Sequence, residues 1–456
     1  MKIKNTRSGK DLQNAAYRPR LFNLISALLV LGLLAGCAEW LQPIFPGLFP
    51  PNAANPPLPN GASVPPQPEP TATFEPLPTI SGPVTLTIWV PPQFDPQGDS
   101  PASEILQNRL DEFMEENPGV LVNSRVKAPS GPGSLLEALT AASAAAPGAL
   151  PSLVALSRTD FEAAALKGLI FPIEGLSTQI ETSDWFPYAR QLGSVQDSPF
   201  GLPFAGDAFV ILYRPAAFGG LAPISWEDIF AHGEPLIFPV DDSQAMITMT
   251  LYRSAGGIVQ DIQGRPTLNP EALTKVFLLY QDGARRGTFP AWLAQYQTAG
   301  QAWQAFQENQ ADWVVNWSSA YLSELPPDTS LALLPSLGTD SYTQATGWMW
   351  ALADPNLERH ELSVRLAEFL VESPFLSEWS EAAGFLPTRP AALAGWPNQV
   401  LQVLVGQVVL SAQVRPPNEI LASLGPVMKD GVLSVIRDQS DPVHAVQLAV
   451  EKLGAP

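Results

Sequence analysis

Between Ala38 and Gly82, thirteen of 45 residues are proline. Proline fixes φ and removes a backbone donor, so neither a helix nor a sheet ladder propagates through such a stretch. The segment prefers extended polyproline II, at about 3.1 Å per residue. It cannot join a packed core, so the folded body must begin near Pro83. As a spacer behind an anchor, residues 37–82 reach on the order of 100 Å at most. A proline-rich recognition segment for a partner is the other reading of this composition.

Ahead of the spacer, residues 1–20 carry six bases (Lys2, Lys4, Arg7, Lys10, Arg18, Arg20) against one acid, Asp11. Residues 21–36 carry no charge, and Cys37 follows directly. A basic start, an apolar stretch and small residues at the junction make a secretory signal. Leu34-Ala35-Gly36-Cys37 resembles a bacterial lipoprotein box. That resemblance implies removal of residues 1–36 and a lipid on Cys37, placing the rest on the outer face of the cell membrane. An uncleaved anchor helix is the alternative, but 16 residues are short of the roughly 20 a span needs. Either way the body lies outside the cytoplasmic membrane.

The whole chain holds 25 basic and 44 acidic residues, a net of −19. Without residues 1–36 the count is 19 basic to 43 acidic, a net of −24. Such a surface repels phosphate backbones, so no nucleic-acid partner is expected. One cysteine excludes an intrachain disulfide or a multi-cysteine metal site. His232, His360 and His444 lie far apart in sequence. No metal or other cofactor is expected.

The body alternates strand and helix signals. Val84–Val90 is β-branched and aromatic, a strand pattern. Residues 103–116 place Ile105, Leu106, Leu110, Phe113 and Met114 on one helical face, with Ser103 as N-cap and Asn117-Pro118-Gly119 as a stop. A strand at Val120-Leu121-Val122, a helix at 134–146, a strand at 152–157 and a helix at 159–167 follow. Residues 358–372, 374–383 and most of the last 60 read as helices. This alternation predicts an α/β fold with mostly parallel sheets.

Several short segments, in order, carry a resemblance. They are the opening strand Thr85-Leu86-Thr87-Ile88-Trp89-Val90, Asn117-Pro118-Gly119-Val120, and Lys167-Gly168-Leu169-Ile170. Then come Gly201-Leu202-Pro203 running into Val210-Ile211-Leu212-Tyr213, Trp226-Glu227-Asp228-Ile229, Phe306-Gln307-Glu308-Asn309, and Gly384-Phe385-Leu386-Pro387-Thr388-Arg389. Together they resemble the extracellular solute-binding proteins of ABC importers, the branch that includes the maltose-binding protein. The likeness spans nearly all of 83–456. Arg214-Pro215, Asn309-Gln310 and Ser152 depart from the usual pattern.

The resemblance implies a two-lobed periplasmic-binding-protein fold. Each lobe is a mostly parallel sheet flanked by helices. Crossing segments are expected near 204–209, 343–351 and 384–390. Lobe one is expected at about 83–204 plus 352–385, and lobe two at about 209–345 plus 390–456. A saccharide-like solute would bind between the lobes and pass to an ABC permease in the membrane. The protein would act as a monomer and not as an enzyme.

Candidate ligand contacts follow from the chemistry of sugars, which offer flat C–H faces and many hydroxyls. Trp317 follows a predicted strand, and Trp348 and Trp350 lie on a predicted crossing, with Trp303 and Trp313 nearby; each could equally be core. Asp207, on the first crossing amid Phe204, Ala205, Ala208 and Phe209, can accept from two hydroxyls. A solvated hinge acid or an N-cap is the other reading. Arg158, Thr159 and Asp160 follow a strand end, where α/β ligands bind, although Asp160 can also cap a helix. Asp241, Asp242, Ser243 and Gln244 stand at another strand end. Arg415 could reach the cleft from the C-terminal helices. His232 reads as a turn or capping residue. No HExxH, GxSxG, P-loop or GxGxxG motif is present. A surface glycoside hydrolase, and a sensor or adhesion lipoprotein of the same fold, remain the alternatives.

Overall fold

The computed structural model describes residues 83–454. The expected signal segment 1–36, Cys37 and the expected spacer to residue 82 lie outside the described residues. The strands are β1 (Val84–Val90), β2 (Val120–Val126), β3 (Leu153–Ser157), β4 (Ser194–Val195), β5 (Ser198–Pro199), β6 (Gly201–Tyr213), β7 (Trp313–Trp317), β8 (Ser330–Ala332), β9 (Thr343–Leu352) and β10 (Ala412–Val414). The helices of the first half are α1 (Pro101–Glu116), α2 (Leu135–Ala145), α3 (Arg158–Leu166), α4 (Pro187–Leu192), α5 (Trp226–His232) and α6 (Met246–Ser254). Those of the second half are α7 (Pro270–Arg286), α8 (Ala299–Gln307), α9 (Ser319–Leu322), α10 (His360–Phe369), α11 (Ser373–Ala383), α12 (Pro390–Ala394), α13 (Gln399–Ser411), α14 (Asn418–Ile436) and α15 (Pro442–Gly454).

Local chemistry sets the ends of these elements. Helix α1 begins two residues earlier than its apolar periodicity predicts, because Pro101 takes the first position, where its missing N–H costs nothing. The N-cap is therefore Ser100, not Ser103; the Ser100 hydroxyl accepts from the Ser103 N–H at 3.1 Å. Helix α3 likewise starts at Arg158 under a Ser157 cap, which accepts from the Asp160 N–H at 3.3 Å. Asp160 thus sits in the first turn, where a carboxylate suits the helix dipole.

Strands β2, β1 and β3 pair in parallel, each followed by a helix. Strand β9 lies antiparallel to β3, and β6 antiparallel to β9. The 13 residues of β6 are all buried. Its first part, Gly201–Ala208, pairs with β9 beside the β2–β1–β3 block. Its second part, Phe209–Tyr213, pairs with β7, and its last three residues also pair with β8. One continuous strand therefore serves two α/β lobes and changes partners between Ala208 and Phe209. Strand β10 adds to β9 at Thr343–Ala345. Helices α6, α7, α14 and α15 pack together, and α6 also packs on β9. Among the described residues, no helix is long and apolar enough to cross a membrane.

Candidate functional site at the shared strand

The register of β6 brings three candidate side chains into line. Trp348 pairs with Ala205, Thr346 with Asp207, and Trp317 with Phe209. Alternate residues of a strand face the same way, and paired residues share a face. Trp348, Asp207 and Trp317 thus follow one another on one face over about 13 Å of strand. Ser157 of β3 pairs with Trp348 from the other side. Arg158, Thr159 and Asp160 therefore leave the sheet next to that tryptophan.

The Trp317 ring is half-buried and stacks on Phe209 at 3.9 Å between centroids. Trp348 is also half-buried and presents to Phe94 edge-on at 5.1 Å. Trp350 is 2% exposed and stacks on Phe204 at 4.7 Å, so its ring is part of the core. Trp313 is fully buried, and Trp303 stacks on Phe306. His232 ends α5 just before Gly233, whose φ is +79°, and lies against Phe218.

Asp207 is 8% exposed. Its Oδ1 accepts from the Ser318 hydroxyl at 2.7 Å and from the Ser319 and Ala208 N–H groups at 3.0 Å each. Its Oδ2 accepts from the Ser319 hydroxyl at 2.5 Å. Burial pushes this carboxyl up, and the donors from Ser319, Ser318 and Ala208 pull against that shift. A carboxylate offers about four acceptor positions. Oδ1 takes three of the four donors and Oδ2 one, so Oδ2 keeps one acceptor position. Sequence reasoning did not find the serines. Two serines right after a strand signal a helix start but do not reveal which acid they serve.

A second cluster surrounds Arg415. Its backbone N–H donates to the Ala345 carbonyl of β9 at 2.9 Å. Its guanidinium donates to the Thr159 hydroxyl, and to Asn418 Oδ1 at 2.8 Å. Asn418 donates through its side chain to the Thr159 carbonyl at 2.9 Å and through its backbone to Glu162 Oε1 at 2.8 Å. Arg158 donates to the Leu192 and Ser194 carbonyls at 2.8 and 2.7 Å, closing the C-terminal end of α4. Burial pulls the Arg415 guanidinium down to about 10, with Glu162 opposing and Arg158 adding to the shift. Burial also lowers Arg158 and raises Asp160. Glu162 and Asn418 had no signal in the sequence, since each lies inside a helix pattern.

Asp242 and Gln244 share no hydrogen bond with either group. Asp242 accepts from the Gln244 and Met246 N–H groups at 3.1 and 2.8 Å, which closes the turn into α6. Gly425 of α14 comes so close to this turn that a Cβ there would lie 2.7 Å from the Ser243 carbonyl oxygen. A hollow of about 760 Å³ opens elsewhere, between Trp226, Phe230, Asp282 and Gly338, and none of the aligned residues lines it. Among the described residues, no group of three or more His, Cys, Asp or Glu side chains could hold a metal ion.

A strand shared by two α/β lobes, with aromatic and polar side chains aligned where it changes partners, defines the two-lobed binding-protein class. The profile of the bacterial extracellular solute-binding protein family matches residues 108–400, and the chain belongs to that family. No curated protein matches the sequence. Solved structures match over most of the body. Maltose-bound MalE3 of T. maritima is 18% identical with a TM-score of 0.63, over 81% of this chain and 99% of that one. A cyclic alpha-maltosyl-1,6-maltose binding protein from Arthrobacter globiformis is 17% identical with a TM-score of 0.67, over 82% and 98%. The sugar-binding protein MalE from Xanthomonas citri is 17% identical with a TM-score of 0.66, over 81% and 96%. The family and these neighbours are binding proteins.

Proposed function

We propose that this protein captures a saccharide-like solute between its lobes and hands it to an ABC permease. In this reading, lobe one spans about 83–204 plus 352–385, and lobe two about 209–345 plus 390–456. A lipid on Cys37 and the spacer to residue 82 hold the body outside the membrane. The alignment of Trp348, Asp207 and Trp317 along β6 carries the reading. Flat indoles suit the C–H faces of a sugar ring, and the free capacity of Asp207 suits one hydroxyl. Asp160 follows Ser157, the strand partner of Trp348, on the lobe-one side. Sugar-binding neighbours of the same fold support this solute class.

A solute that touches both lobes favours the closed state, because only there are both sets of contacts made. A tenfold preference needs about 1.4 kcal/mol. One stacked ring and one charge-assisted hydrogen bond reach that size. Thermal melting against a panel of neutral oligosaccharides tests the proposal. A matching sugar at 100 times its Kd adds about 2.7 kcal/mol. Unchanged melting with every sugar at millimolar concentration would overturn the assignment.

A further inference from the structure

The junction around Arg415, in which Thr159 is exposed and Asn418 half-buried, has no part in the reading above. In the lobe division proposed above, its two sides belong to different lobes. Thr159 and Glu162 lie on α3, directly after β3. Arg415 and Asn418 lead into α14, which packs on α6, α7 and α15. Arg158, Glu162 and Arg415 are only 8%, 4% and 5% exposed. Its hydrogen bonds join α3 directly to the turn into α14.

We propose that Arg415 and Asn418, gripping Thr159 and Glu162, form an interlobe clasp that closes the protein without solute. The inference rests on the clamp reading above and adds a built-in bias to it. The clasp is weak by construction. Arg158 Nε, Arg415 Nε and Glu162 Oε2 are buried with no hydrogen-bond partner. Buried charges that are incompletely paired return little net stability, because desolvation offsets their attraction. The two guanidinium groups also repel each other. Such a junction shifts the balance of open and closed states without locking it. Affinity then scales with the closed fraction, so weakening the clasp weakens solute binding by the same factor.

Distance measurement by paired spin labels tests this directly. Labels at Glu116→Cys and Glu271→Cys, both exposed positions, report on the two lobes in the full chain carrying Cys37→Ser. The solute-free parent should show a short-distance population. Thr159→Val keeps the side-chain volume and removes the hydroxyl that Arg415 grips. It should raise the long-distance fraction at least threefold, with little change in melting temperature. Asn418→Ala, which leaves all three charges in place, should do the same. A solute-free parent with only the long distance would overturn the clasp. So would Thr159→Val and Asn418→Ala distributions identical to the parent. Failure of the clamp reading is separate: no sugar would then move the label distance in any variant.

Discussion

Gly206 and Leu386 exchange both of their backbone hydrogen bonds, each at 2.8 Å. This pair ties the segment after α11 to β6, one residue before Asp207. The Tyr188 hydroxyl donates to the next carbonyl, Pro387, at 3.0 Å, and the Thr388 hydroxyl donates to Pro203 at 3.1 Å. Gly206 has no room for a side chain, since a Cβ would lie 2.1 Å from the Tyr188 hydroxyl oxygen. Tyr188 is fully buried and cannot swing clear. Gly206→Ala should therefore cost about 1–3 kcal/mol, as overfilled cores do. Urea denaturation should show the loss as a lower midpoint, and Tyr188→Phe in the same chain should recover part of it.

Asp207 makes a separable prediction about pH. Burial raises its carboxyl in the folded state above its unfolded value. A raised acid binds its proton more tightly when folded. Its contribution to stability is therefore largest at low pH and falls as pH rises towards the folded value. Asp207→Asn has no such proton. Replacing an acceptor by an amide N–H also leaves the Ser318 and Ser319 donors short of partners, at about 1–3 kcal/mol. The parent should thus exceed Asp207→Asn in stability, and by more at pH 4.5 than at pH 7. A constant or widening gap from pH 4.5 to 7 would show that the carboxyl is not raised.

Much of this architecture is legible in the residues. The β-branched run at 84–90 and the alternation after it give the parallel β2–β1–β3 block, because period and turn chemistry are local. The apolar run from Phe209 to Tyr213 marks a buried strand for the same reason. What the sequence conceals is partnership across the chain. Nothing near Asp207 says that residues 111 and 112 positions away supply its donors. Nothing near Arg415 points to Thr159, 256 residues earlier. Trp348 and Trp350 look alike in sequence, yet one is half-buried and the other lies under Phe204, a difference set by neighbouring strands and by the residues covering them.

That difference between the tryptophans can be measured. Trp350→Ala removes a buried ring and should cost about 3–5 kcal/mol of stability. Trp317→Ala and Trp348→Ala remove half-buried rings and should cost less. Under the proposed function, those two should weaken sugar binding roughly tenfold each, the size of about 1.4 kcal/mol. Calorimetric titration alongside melting separates the effects. Equal losses of affinity in all three variants, tracking stability alone, would mean that no indole touches the solute.

The proposed anchor makes its own prediction. If a lipid on Cys37 holds the protein at the membrane, Cys37→Ser leaves the body unchanged and removes its attachment. One acyl chain gives only marginal membrane binding, so firm anchoring takes more than one. The parent should sediment with membranes and resist a high-salt wash, because hydrophobic attachment is not screened by ions. Cys37→Ser should lose that salt-resistant, lipid-borne fraction while its purified body melts at the same temperature. Persistence of the variant in washed membranes would instead point to an uncleaved helix over residues 21–36, and amino-terminal sequencing would then find Met1 in place.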